Sequence, residues 1–98
     1  MLYTTDQLIQ FLKDHKAFFA KEFTVTRIGL FGSSARGEAT EESDIDIVVE
    51  LEKPDLFYLI GVKQAVEEAF GHKVDVVRLR DNMNAVLKKR IEQDVIYV

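Results

Sequence analysis

Three short runs of β-branched and apolar residues, Arg27 to Phe31, Asp46 to Leu51 and Val74 to Val77, are interleaved with longer segments of helical periodicity. Each run has the length and composition of a strand. Strands alternating with helices restrict the chain to a mixed α/β (α+β) architecture. Before the first run, Thr4 and Gln7 have capping-box spacing. Leu8, Phe11, Leu12, His15, Phe18 and Phe19 then recur at helical intervals to about Lys21. Between the second and third runs, Pro54 and Asp55 open a helix that places Leu56, Leu59, Ile60, Val62, Val66, Ala69 and Phe70 on one broad side. Gly71 closes it. Asn82 is positioned to cap a last helix carrying Met83, Val86, Leu87 and Ile91, and Val95 to Val98 reads as a short terminal strand. The predicted architecture is a small mixed sheet with helices packed over one face and the other face free for a ligand or partner. A ferredoxin-like sandwich would need more strand pattern than is present.

The chain has 98 residues, 47% of them hydrophobic and 31% charged, with no repeat or linker, which predicts one domain spanning 1–98. With no cysteine, disulfides, thiolate catalysis, zinc–cysteine sites and iron–sulfur clusters are excluded, and a reducing cytoplasm is the expected compartment. Met1 to Gln10 has no basic n-region, and no run approaches the roughly 18 apolar residues of a spanning helix. No membrane association is expected. The formal net charge of −4 opposes a nucleic-acid backbone, so direct nucleic-acid binding is not expected either. Acid is concentrated locally: Glu38, Glu41, Glu42, Asp44, Asp46, Glu50 and Glu52 follow one another with no basic residue between.

The segment Gly32-Ser33-Ser34-Ala35-Arg36-Gly37 follows the first strand directly. Glycine tolerates the positive φ of a sharp turn, and Ser33 and Ser34 can start a helical turn whose unpaired N–H groups point outward. Those donors, the serine hydroxyls and the nearby Arg36 form a phosphate cradle. Taken alone the segment is weak evidence for this, since glycine-serine turns that merely cap a helix are the commoner case.

Asp44 and Asp46 supply the second half of the pattern. Two residues apart at the entry to a strand, they point to one face, with Cα atoms about 6.5 to 7 Å apart. Carboxylates at that separation can jointly hold two magnesium ions spaced about 3.5 to 4 Å. Ile45, Ile47 and Val49 alternate to the opposite, buried face. Asp75 sits inside the apolar run Val74 to Val77, where an acid is costly unless paired, hydrogen-bonded or bound to a cation. If its strand lies beside that of Asp46 with the same facing, it completes a triad; the alternative is an exposed-face acid on a one-sided sheet.

Gly32-Ser33, ten intervening residues, Asp44-x-Asp46 and the later strand acid Asp75 resemble the nucleotidyltransferase signature of the DNA polymerase β-like superfamily. The length and the wording Gly-Ser-x-Ala-Arg-Gly-Glu-Ala resemble its minimal nucleotidyltransferases, which act as antitoxins beside HEPN-domain toxin ribonucleases. The resemblance implies the nucleotidyltransferase fold and a two-ion Mg²⁺ site at Asp44, Asp46 and Asp75. It implies triphosphate contacts from Gly32 and Ser33, to which Ser34 and Arg36 are added as candidates. It further implies AMP transfer from ATP to a tyrosine of the cognate HEPN toxin. The alternatives are a binding-only antitoxin and a small-molecule nucleotidyltransferase acting, for example, on an aminoglycoside. The chain has no room for the helical second domain of larger relatives, so a partner chain or a homodimer is expected to supply the missing walls. Phe57, Tyr58 and Phe70 read as core, His15 and His72 as surface or helix-end residues, and Lys88, Lys89 and Arg90 as solvated.

Overall fold

A computed structural model describes residues 3–98, so the first two positions of the expected 1–98 domain lie outside the description. Its elements are α1 (Thr5–Phe23), β1 (Val25–Phe31), α2 (Gly32–Arg36), β2 (Ile45–Leu51), α3 (Leu56–Phe70), β3 (Val74–Arg78), α4 (Ala85–Asp94) and β4 (Ile96–Tyr97). The four strands form one sheet in the order β3-β2-β1-β4. β2 and β3 are parallel, joined by α3 as crossover, while β1 runs antiparallel to both β2 and β4.

The capping box is formed in both directions: Gln7 N–H donates to Thr4 Oγ1 at 3.0 Å, and Thr4 N–H donates to Gln7 Oε1 at 2.8 Å. α1 ends at Thr24, whose φ of 55° is unusual for a β-branched residue. Lys53 N–H donates to its hydroxyl at 3.2 Å and Glu52 N–H to its carbonyl at 2.8 Å, tying the end of α1 to the end of β2.

Strand alternation sorts the core. Ile28, Leu30, Ile45, Ile47, Val49 and Val74 are buried on one face, against Leu8, Leu12 and Phe19 of α1 and Val62 and Val66 of α3. Phe31 and Val48 point the other way and pack beneath Met83 and Ile91. The sheet expected from the sequence is present, and its second face is partly covered by α4 rather than left free. Val48, Val77 and Phe31 make the middle of that face apolar, which is the physical reason for the cover.

Two local details differ from expectation. Asn84, not Asn82, caps α4, accepting from Val86 N at 2.9 Å and Leu87 N at 3.1 Å. Met83 precedes the helix and is buried beneath it. In α3, Asp55 caps as expected, accepting from Phe57 N at 2.9 Å, but Phe57 is 78% exposed and Leu56 69%. Only Val62 and Val66 of that helix are fully buried, so its broad apolar side is half used. Among the described residues, no helix is long and apolar enough to cross a membrane.

Candidate active site

β1 delivers the chain into α2 at Gly32, whose φ is 67°. The five-residue turn ends at Gly37, φ 71°, with the Gly37 and Glu38 N–H groups returning to the Ser33 carbonyl. Gly32 is pressed against the acidic cluster: a Cβ there would lie 2.5 Å from Oδ2 of Asp46. Ser33 is half-buried and Ser34 buried. The Thr5 hydroxyl donates to the Ser34 carbonyl at 2.6 Å, fastening the start of α1 to the turn. Arg36 is occupied by two carboxylates, Glu38 and Asp94, each at 2.6 Å. It thereby ties α2 to α4.

The β2–β3 register places Asp46 directly opposite Asp75, and Ile45 opposite Val74. Neighbouring strands lie about 4.8 Å apart, so two carboxylates on one face at this position are within reach of one cation. Asp44 precedes β2 by one residue, half-buried, with Oδ2 at 3.8 Å from Lys73 Nζ. Burial, then the charge of Asp75, and then that of Asp44 push the Asp46 carboxyl up from 3.8 to about 6, against the opposing pull of Arg90 and Arg36. Burial disfavours the charged form first, and the neighbouring carboxylates of Asp75 and Asp44 add to that.

Among the described residues, no three acidic or imidazole side chains converge into a ready-made ion cage. Asp44 Oδ2 lies 3.8 Å from Lys73 Nζ. The donor set fits a divalent ion. Hard carboxylate oxygens from β2, its entry and β3 share one end of the sheet, and a cation there would offset the burial of the Asp46 charge and its repulsion by Asp75 and Asp44.

Three neighbours of the site were not singled out by sequence. Arg90, read as solvated, lies close enough for its charge to stabilise the Asp46 carboxylate. Leu87, Arg90, Ile91 and Asp94 share one face of α4 at i, i+3 and i+4 spacing, and that spacing could have revealed it. His72 contacts the motif through a hydrogen bond from Nε2 to the carbonyl of Ser43. Tyr3 lies near enough to the acids that burial first, and then Asp46 and Asp44, raise its phenol pKa, with Ser34 acting in the opposite direction. The Tyr3 and Ser34 hydroxyls are both buried without a hydrogen bond of ordinary geometry. Neither His72 nor Tyr3 is marked by local pattern.

The nucleotidyltransferase domain family matches residues 12–98. The chain belongs to that family. The nucleotidyltransferase is 40% identical over 98 residues to MJ1379 of Methanocaldococcus jannaschii, a candidate protein adenylyltransferase, with 97% of this chain and 98% of the relative covered. It is 35% identical over 96 residues to the protein adenylyltransferase MntA of Thermococcus cleftensis, covering 97% of this chain and 96% of MntA. A crystal structure of a toxin–antitoxin with AMP-PNP superposes on it with a TM-score of 0.68 at 26% identity, over 97% of this chain and 72% of that one.

Proposed function

We propose that this nucleotidyltransferase transfers AMP from ATP to a hydroxyl of a partner protein, a tyrosine of a cognate HEPN-domain toxin, in a Mg²⁺-dependent reaction, and so acts as an antitoxin. The observation that carries the proposal is the pairing of Asp46 with Asp75, with Asp44 alongside and the Gly32-Ser33 turn packed on Asp46. MntA of Thermococcus cleftensis and the toxin–antitoxin structure with AMP-PNP support the donor and the partner class.

In this reading Asp44, Asp46 and Asp75 hold the Mg²⁺, which would neutralise triphosphate charge and acidify the acceptor hydroxyl. Ser33 and the free N–H groups of α2 bind the phosphates. Ser34, with its hydroxyl buried, contributes its backbone rather than its side chain. Arg36 adds positive charge at the end of the same turn and, by holding Asp94, keeps α4 docked beside it. Asp75, the most exposed of the acids, takes the acceptor proton directly or through water. The acceptor oxygen bonds the α-phosphorus as the bridge to the β-phosphate breaks, and pyrophosphate departs.

The test is incubation of the full chain with Mg²⁺, α-labelled ATP and the cognate toxin. Label should appear on the toxin and disappear with Asp46→Asn. Absence of label with the wild-type chain overturns the proposal. An Asp46→Asn chain that still neutralises the toxin fully would make binding alone the mode of action.

A further inference from the structure

Asp46 and Asp75 are fixed by the parallel ladder between β2 and β3, but Asp44 stands outside it. Its loop closes on itself: Ser43 N–H donates to the Thr40 carbonyl at 3.0 Å, and Thr40 N–H donates to Ser43 Oγ at 3.1 Å. Those bonds shape the loop without fastening it to the sheet. Three contacts do fasten it, and all come from the turn between α3 and β3. Ile45 N–H donates to the Lys73 carbonyl at 2.9 Å, His72 Nε2 to the Ser43 carbonyl, and Lys73 Nζ lies 3.8 Å from Asp44 Oδ2.

These contacts are unequal. The Lys73 side chain is 72% exposed and its partner 39%, and an ion pair in that setting is weak and screened by salt. The Lys73 carbonyl holds the residue after Asp44 and would do so with any side chain at position 73. His72 is different in kind. Its ring is half-buried and seated edge-on against Tyr3 at 5.3 Å between centroids, so its one directional donor is aimed at the carbonyl immediately before Asp44. A carbonyl oxygen only accepts, so the proton of that bond lies on Nε2.

We propose that His72 is a positioning residue, holding the Ser43 carbonyl so that the Asp44 carboxylate is set for the divalent cation. The inference rests on the metal reading given above and deepens it. Partners that orient a metal ligand from outside typically contribute about 10- to 100-fold in metal affinity or activity. Fixing Asp44 in advance removes the ordering of the 37–44 loop from the cost of binding.

The experiment is a titration of Mn²⁺ into the full chain with ATP, followed by the spin-resonance signal of free Mn²⁺, alongside unfolding without metal. His72→Ala should weaken Mn²⁺ binding by about tenfold or more. His72→Gln, whose Nε2 amide can reach the same carbonyl, should restore binding to near the wild-type value. If His72→Ala does not fold, His72→Gln is compared with His72→Asn, whose shorter amide should fail to restore it. Ala and Gln variants that both unfold more easily yet bind Mn²⁺ as the wild type does would reduce His72 to a packing residue and overturn the inference. Asp44→Asn separates the two levels. Weakened binding there with unchanged binding in His72→Ala removes only the role of His72, whereas unchanged binding in Asp44→Asn removes the metal reading and this inference together.

Discussion

Gly32 and Asp46 are in such close approach that a single added methyl group on the glycine would lie 2.5 Å from the Asp46 carboxylate. The glycine therefore has two reasons to be a glycine: its φ of 67° and the side chain across from it. Gly71 has only the first, with φ 59° and nothing within 4 Å of the position a Cβ would take. Each alanine variant should lose about 1 to 2 kcal/mol of stability from the left-handed backbone. Gly32→Ala should also displace the Asp46 carboxylate and cost at least about tenfold in AMP transfer, roughly 1.4 kcal/mol of transition-state stabilisation. Gly71→Ala should keep its activity. Denaturant unfolding and initial rates on the two variants check this pair of outcomes.

The elevated Asp46 carboxyl implies a pH dependence with a definite sign. Between 3.8 and about 6 the folded protein holds a proton at Asp46 that the unfolded chain has released. The folded state binds more protons there, so stability falls as pH rises through that window and is unaffected by this group below it. In chelator, the wild type should lose stability from about pH 4 to about pH 6 relative to Asp46→Asn. Mg²⁺, which favours the charged form, should flatten the difference. Identical pH profiles for the two proteins in chelator would refute the assignment.

Ligand that binds only the folded chain stabilises it by mass action, about 2.7 kcal/mol at a hundredfold excess over Kd. For a domain of this size each kcal/mol corresponds to roughly 4 to 8 °C in Tm. Mg²⁺ with ATP should therefore raise the wild-type melting temperature by about 10 °C or more, and Asp44→Ala should abolish the shift. A full shift in Asp44→Ala would place the nucleotide elsewhere.

The parts of the site that follow from local rules were legible in the sequence. The common facing of Asp46 and Asp75 follows from strand alternation once Ile45 and Val74 are recognised as core, and the sharp turn at Gly32 follows from the composition there. The capping box at Thr4 and Gln7 is equally local. What escaped depends on how distant segments meet. The bond from His72 to Ser43 spans 29 positions, and no rule of spacing in one segment marks it. Arg90 belongs to the basic run Lys88-Lys89-Arg90, which reads as solvated as a whole, yet helical spacing places it on the face of Leu87, Ile91 and Asp94, where its charge reaches Asp46. The start of α4 was misplaced by two residues because Asn82 and Asn84 are both good caps, and burial of Met83 decides between them. Phe57 is exposed although its neighbours are apolar, since α3 uses only part of its broad face.

The most direct measurement is an anomalous difference map from crystals of the full chain grown with Mn²⁺ and a non-hydrolysable ATP analogue. The account predicts a metal peak about 2.0 to 2.2 Å from carboxylate oxygens of Asp44 and Asp46, with Asp75 facing it and the triphosphate running along Ser33. A nucleotide bound away from the Gly32 turn, or metal density that leaves Asp44 and Asp46 uncoordinated, would contradict it.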